Sequence, residues 1–136
     1  MKAKPPVVYI IDDDQVIILL HKVQLKKQLP DQPINVFCDA RASLESIVSL
    51  DSDSQKILIF LDINMPEMNG WEFLDQLQEH VNFSDIKVVI VTSSLSISDK
   101  NKSSEYPMVI DYWEKPMAAD QLKTLKNKLS NWLVEK

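Results

Sequence analysis

Five consecutive apolar residues, Ile57 to Leu61, run directly into an aspartate, Asp62. A short apolar run bounded by polar and turn residues reads as a buried strand. Near-continuous apolarity is what a parallel strand covered on both faces requires, because neither side of it meets water. Asp62 therefore stands where a buried strand surfaces, and open α/β sheets bind their ligands at that edge. Met65-Pro66 then makes a turn, and Asn69-Gly70 opens an amphipathic segment. Any function of this chain depends on what converges on Asp62.

The remaining chain repeats the pattern. Val7–Ile11 is β-branched and aromatic and stops at Asp12-Asp13-Asp14. Asp14 suits the N-cap of the next helix, read over Val16–Leu29, with Val16, Leu19, Leu20, Val23 and Leu25 as its apolar face and Pro30 ending it. Ile34–Phe37 reads as a second strand. Ala40–Leu50 reads as a second helix, with Leu44, Ile47 and Val48 on one face. After Ile57–Leu61 comes a helix over Gly70–His80, with Trp71, Leu74 and Leu77 inward, and a fourth strand over Lys87–Val91. Ser96–Glu105 is rich in Ser and Asn, so its helix should be short or irregular. Met108–Tyr112 is a fifth strand. Ala118–Val134 is a final helix with Leu122, Leu125, Leu129, Trp132 and Leu133 on its core face.

Strands alternating with helices imply an α/β fold, a parallel sheet with helices on both faces. Five such units fit the flavodoxin-like doubly wound five-stranded order 2-1-3-4-5. With 136 residues, one domain over 1–136 is expected, its core over about 6–134. The net charge of −5 argues against direct nucleic-acid binding, which needs basic surface. A single cysteine, Cys38, excludes an internal disulfide framework and reads as a small buried hydrophobe in a reducing compartment. No apolar run approaches the ~20 residues of a membrane helix, and the basic start Met1–Pro6 lacks a signal peptide's apolar region, so the expectation is a cytoplasmic protein with no membrane partner.

In this fold the carboxyl ends of the strands share one edge. Strand one brings Asp12 and Asp13 there, strand three Asp62, strand four Thr92, and strand five leads to Lys115. Carboxylates crowded together repel, and a hard divalent cation relieves that repulsion. Mg²⁺ prefers oxygen ligands and keeps several waters, so the carboxylates and a backbone carbonyl, that of Asn64, would suit it. With Lys115 and Thr92 added, the site is shaped for a phosphoryl group, whose transfer needs cations around its oxygens. A carboxylate such as Asp62 can act as the nucleophile.

The chain resembles a response-regulator receiver domain over nearly its whole length. The likeness rests on Ile11-Asp12-Asp13-Asp14, on Leu61-Asp62-Ile63-Asn64-Met65-Pro66-Glu67-Met68-Asn69-Gly70, on Val91-Thr92-Ser93 and on Lys115-Pro116. The resemblance implies that Asp62 accepts a phosphoryl group from a sensor histidine kinase or phosphotransfer protein. It implies that Asp12, Asp13, Asp62 and the Asn64 carbonyl hold Mg²⁺, and that Thr92 and Lys115 contact the phosphoryl oxygens. Tyr112 would be the aromatic switch residue, the Lys115-Pro116 bond would be cis, and Asn64 and Ser94 would tune the phosphate lifetime. The surface of the fourth helix, fifth strand and fifth helix would then address a downstream target protein. Two features depart from the family: Glu105-Tyr106-Pro107 replaces a common Gly-Ala pair, and the fourth helix is weak. A stand-alone regulator is the expectation, since only Leu133–Lys136 follows Trp132. The resemblance implies a phosphoacceptor rather than a turnover enzyme.

Other readings compete. A phosphatase working through an aspartyl phosphate wants an acid two residues past the nucleophile, and Asn64 stands there. A flavin carrier wants a neutral phosphate loop where Asp12-Asp13-Asp14 lies. A receiver fold kept only as a protein-binding module, without phosphorylation, is the closest alternative. His21 and His80 read as solvated helix-surface residues, and Met65 and Met68 as packing for the turn.

Overall fold

In the computed structural model, which describes residues 5–94 and 96–133, the strands are β1 (Val7–Ile11), β2 (Ile34–Phe37), β3 (Lys56–Leu61), β4 (Asp85–Thr92) and β5 (Val109–Glu114). Between and after them come α1 (Gln15–Gln28), α2 (Ala40–Leu50), α3 (Gly70–His80), α4 (Ile97–Ser103), α5 (Ala119–Lys128) and a short α6 (Ser130–Leu133). The strands form one sheet in the order β2-β1-β3-β4-β5, and every pairing is parallel. The expected architecture is the observed one.

Strand alternation sorts the core into two layers. Tyr9, Ile11, Ile57, Ile59, Leu61, Val88 and Ile90 pack with α2 and α3 through Ile47, Trp71, Phe73, Leu74 and Leu77. Val8, Ile10, Leu58, Phe60, Val89 and Val91 pack with α1 and α5 through Ile18, Leu25, Leu122 and Leu125. The central strands are buried on both sides, which is why they read as unbroken apolar runs.

Several expectations about faces and bounds need correction. In α1 the buried residues are Ile18, His21 and Leu25, whereas Val16, Leu19, Leu20 and Val23 are exposed. The helix carries apolar residues almost all round, from Val16 to Leu20, so periodicity alone could not choose the inward side. In α2, Ile47 is buried but Val48 faces solvent. Cys38 is exposed: it follows the last residue of β2, an edge strand whose residues are all only partly buried. β5 starts and ends later than its apolar run suggested, and an irregularity lets Val88 pair Val109 and Val89 pair Asp111, leaving Ile110 unpaired between them. The final helix is interrupted at Leu129 (φ −100°, ψ 14°) before α6, and Trp132 is only partly buried, its indole N–H donating to Asp85 at 2.6 Å. Val134 lies outside the described residues.

Candidate functional site

The ladder continues one residue beyond β1 and β3. Asp12 N donates to Phe37 O at 3.1 Å and Asp62 N to Ile11 O at 2.9 Å. Asp12 and Asp62 therefore follow the alternation of their strands and fall on the α1/α5 side, where both are almost fully buried. Local chemistry fixes each loop. Asp14 caps α1, accepting from Val16 N at 2.9 Å and Ile17 N at 3.3 Å, while its own N–H donates to Asp12 Oδ1 at 2.9 Å. Asn64 N donates to Asp62 Oδ1 at 3.3 Å. Asn69 and Glu72 form a reciprocal capping box that starts α3.

Between Asp62 and α3 the turn runs through Pro66 and Glu67, the latter at φ 66°. A positive φ after proline is what a type II turn asks for. The loop then closes tightly, with Gly70 N donating to Ile63 O at 2.8 Å. A Cβ on Gly70 would lie 2.8 Å from Asp62 O and from Ile63 Cα. The chain's single glycine thus lets α3 start directly against the backbone of Asp62.

Lys115 closes the pocket from the opposite side. Its Nζ stands 2.8 Å from Asp12 Oδ2 and 3.3 Å from Asp62 Oδ2. The backbone that delivers it is tied to β4 by Lys115 N donating to Thr92 O at 2.9 Å, and the Lys115-Pro116 bond is cis, as the resemblance implied. Burial pushes the Asp62 carboxyl up to about 6, the neighbouring Asp12 charge adds to this, and Lys115 pulls the other way. Burial also raises Asp12 against the opposing Lys115 bond. For Lys115 burial works against the ammonium, but its bonds to Asp12 and Asp62 outweigh it and the pKa is raised. One cation serves two buried anions, so the pocket is one positive charge short of balance.

That shortfall and the oxygen donors around it suit a divalent cation. Asp12, Asp13 and Asp62 each offer a carboxylate oxygen, and these oxygens lie within 4.8 Å of one another. Opposite ligands of a cation bound at about 2.1 Å stand roughly 4.2 Å apart, so small rotations bring the three onto one ion. Asp13 is exposed, which leaves a side open to water. The set fits a hard, oxygen-preferring ion.

Thr92 is fully buried at the end of β4, and its Oγ1 accepts from Ser94 N at 3.2 Å. Tyr112 Oη donates to Ser94 O at 2.9 Å. The backbone of Ser94 is therefore gripped at one end by the threonine and at the other by the tyrosine. Ser94 Oγ further donates to Asp99 of α4 at 2.9 Å.

Of the residues singled out from sequence, Asp12, Asp13, Asp62 and Lys115 are brought into one pocket, and Thr92 and Tyr112 into one chain of bonds beside it. Asn64 follows in the loop, tied to Asp62 through its N–H. His80 is exposed as read, paired with Gln76 at 3.1 Å. The reading of His21 as solvated is wrong: it is 1% exposed, and its Nε2 accepts from Met117 N at 3.1 Å. Sequence offered no signal for that contact beyond an imidazole amid apolar helix residues, because its partner is 96 positions away.

A doubly wound parallel sheet with buried acids and a lysine at its carboxyl edge defines the class: an α/β protein with a charged pocket at the switch point. Residues 8–127 match the response regulator receiver domain model, and the chain belongs to that family, one of the standing examples of this strand order. It is 30% identical over 130 residues to the transcriptional regulatory protein HptR of Staphylococcus aureus, covering 94% of this chain and 48% of that protein. It is 28% identical over 88 residues to the sensor histidine kinase CheAY of Helicobacter pylori, covering 64% of this chain and 11% of that protein. The chain thus spans half or less of these relatives' length. A two-component response regulator from Cytophaga hutchinsonii superposes with a TM-score of 0.78 at 29% identity, covering 94% of this chain and 98% of that one. No helix among the described residues is long and apolar enough to cross a membrane.

Proposed function

We propose that the protein is a phosphoacceptor signalling switch in which Asp62 receives a phosphoryl group from a phosphohistidine on a sensor kinase or phosphotransfer protein. The observation that carries this reading is the Asp12–Lys115–Asp62 arrangement, two buried carboxylates bridged by one ammonium at 2.8 and 3.3 Å with Asp13 beside them. An Asp62 oxygen attacks phosphorus, the donor's N–P bond breaks, and an O–P bond forms, leaving an aspartyl phosphate. Asp12, Asp13, Asp62 and the Asn64 carbonyl would hold Mg²⁺, which when bound supplies the missing positive charge for the carboxylates and the incoming phosphoryl oxygens. Lys115 gives up part of its hold on the carboxylates to grip a phosphoryl oxygen.

The output follows from the bonds around Ser94. For Thr92 to reach the phosphoryl group its hydroxyl must turn, and the bond from Ser94 N is lost. Ser94 O is the acceptor that holds Tyr112, so the loop's movement changes where the tyrosine rests. Phosphorylation then shifts the population between two arrangements of the α4–β5–α5 surface, and a target protein distinguishes them. We place this activity in the cytoplasm, where ATP feeds the kinases, and regard the chain as a substrate and switch rather than a turnover enzyme. Incubation with acetyl phosphate and Mg²⁺ should add one phosphoryl mass to the protein and none to Asp62→Asn. An unmodified wild-type protein, or equal modification of the variant, would remove the basis of the reading.

A further inference from the structure

His21 is a buried titratable group to which the phosphoacceptor reading gives no task. Its Nε2 accepts the N–H of Met117, itself buried, at 3.1 Å across 96 residues of sequence. The partner's position gives the bond its meaning. Pro116 has no N–H, so the stretch Lys115–Met117 owns two backbone donors. Both are used as anchors: Lys115 N is tied to Thr92 O at 2.9 Å on β4, and Met117 N to His21 on α1. Between these anchors the Lys115 side chain leaves for Asp12 and Asp62. At its N-terminus, about two turns before His21, α1 is joined to the acidic pair, since its cap residue Asp14 donates its N–H to Asp12 Oδ1 at 2.9 Å.

Accepting that bond requires a lone pair on Nε2, which a neutral imidazole with its proton on Nδ1 provides. Burial, with the positive charge of Lys115 adding to it, lowers the His21 pKa to about 4, so the ring remains an acceptor at neutral pH. The acidic cluster that could hold a cation consists of Asp12, Asp13 and Asp62, without His21. A leucine or methionine would fill similar volume on α1 but would leave Met117 N without its partner.

We propose that His21 is a positioning residue: by accepting the Met117 N–H it fixes the backbone just past Lys115 and so sets where the ammonium stands relative to Asp12 and Asp62. The inference rests on the phosphoacceptor reading, in which that ammonium grips the phosphoryl group.

The test compares the full chain with His21→Leu and His21→Gln, each confirmed folded by circular dichroism. For each, affinity for beryllofluoride in saturating Mg²⁺, the rate of phosphorylation by acetyl phosphate and affinity for Mg²⁺ alone are measured. His21→Leu should bind beryllofluoride about tenfold more weakly and be phosphorylated correspondingly more slowly, having lost a buried hydrogen bond at the lysine loop. In His21→Gln the amide oxygen can accept the same N–H, and both values should return to within about threefold of wild type. Mg²⁺ affinity should not fall in either variant, because a displaced ammonium competes no more strongly for the carboxylates, whereas general damage to the pocket lowers it in parallel. If His21→Leu does not fold, His21→Met, flexible and without a strong acceptor, takes its place. Wild-type affinity in the leucine or methionine variant overturns the inference, as does a glutamine variant no better than leucine, or a parallel loss of Mg²⁺ binding. A wild-type protein that takes up neither beryllofluoride nor phosphate overturns the phosphoacceptor reading, and this inference with it.

Discussion

At the scale of single residues the pocket is a compromise between folding and chemistry. Asp62 is 3% exposed and has one Lys115 contact shared with Asp12. Asp62→Asn removes a buried charge that neither burial nor Asp12 favours, and without divalent cation it should raise the thermal midpoint of unfolding while abolishing phosphorylation. Calorimetry in chelator checks the first effect. Gly70 carries the opposite lesson: there the absence of a side chain is required, because a Cβ would sit 2.8 Å from backbone atoms of Asp62 and Ile63. Gly70→Ala should cost about 1–3 kcal/mol in urea unfolding, since backbone rather than a flexible side chain must yield, and should slow phosphorylation by displacing Asp62.

At the scale of elements, α1 is where pattern and packing parted. Its stripe Val16, Leu19, Leu20, Val23 follows helical spacing, yet the helix is anchored through Ile18, His21 and Leu25. Both stripes have the right period, and only contact with Val8, Ile10 and α5 separates them. Leu25→Ala should therefore cost about 2–5 kcal/mol as a cavity in the core. Leu19→Lys should change stability by no more than about 0.5 kcal/mol, because that side chain is 62% exposed. Chemical denaturation of the pair decides between the two faces. The bounds of β4, β5 and α4 also differ from the expected ones: β4 extends to Asp85–Thr92, β5 carries the unpaired Ile110, and α4 is a seven-residue helix of weak local preference.

At the scale of the whole molecule, two buried groups on neighbouring elements titrate with opposite consequences for stability. His21 binds protons less readily in the folded protein than unfolded, at about 4 against 6.5, so it makes the fold less stable as pH drops through that window. Asp62 binds them more readily, at about 6 against 3.8, so it makes the fold more stable as pH drops from about 6 toward 3.8. Each shift is on the order of 3 kcal/mol at full extent, and the windows overlap. In chelator the wild-type stability should therefore change little between about pH 6 and 4 on account of this pair. His21→Gln should gain stability on acidification over that range, and Asp62→Asn should lose it. Thermal melts of the three proteins across the range provide the measurement, and parallel curves would contradict the assignment. Cation binding acts at the same scale: added Mg²⁺ should raise the wild-type melting midpoint by mass action, and the gain should shrink in Asp13→Asn.

Sequence by itself determined the sheet. Apolar runs such as Ile57–Leu61 are local statements about burial on both faces, and alternation with amphipathic segments leaves few ways to connect them. It also determined which residues meet in the pocket, because Asp12, Asp62, Thr92 and Lys115 all stand at or just beyond strand ends, and parallel strands deliver their carboxyl ends to one edge. Tertiary structure alone decided which side of α1 faces inward, that Cys38 is exposed, and that His21 reaches Met117. These depend on neighbours brought together by folding, and no periodicity within a segment carries information about a partner on another element.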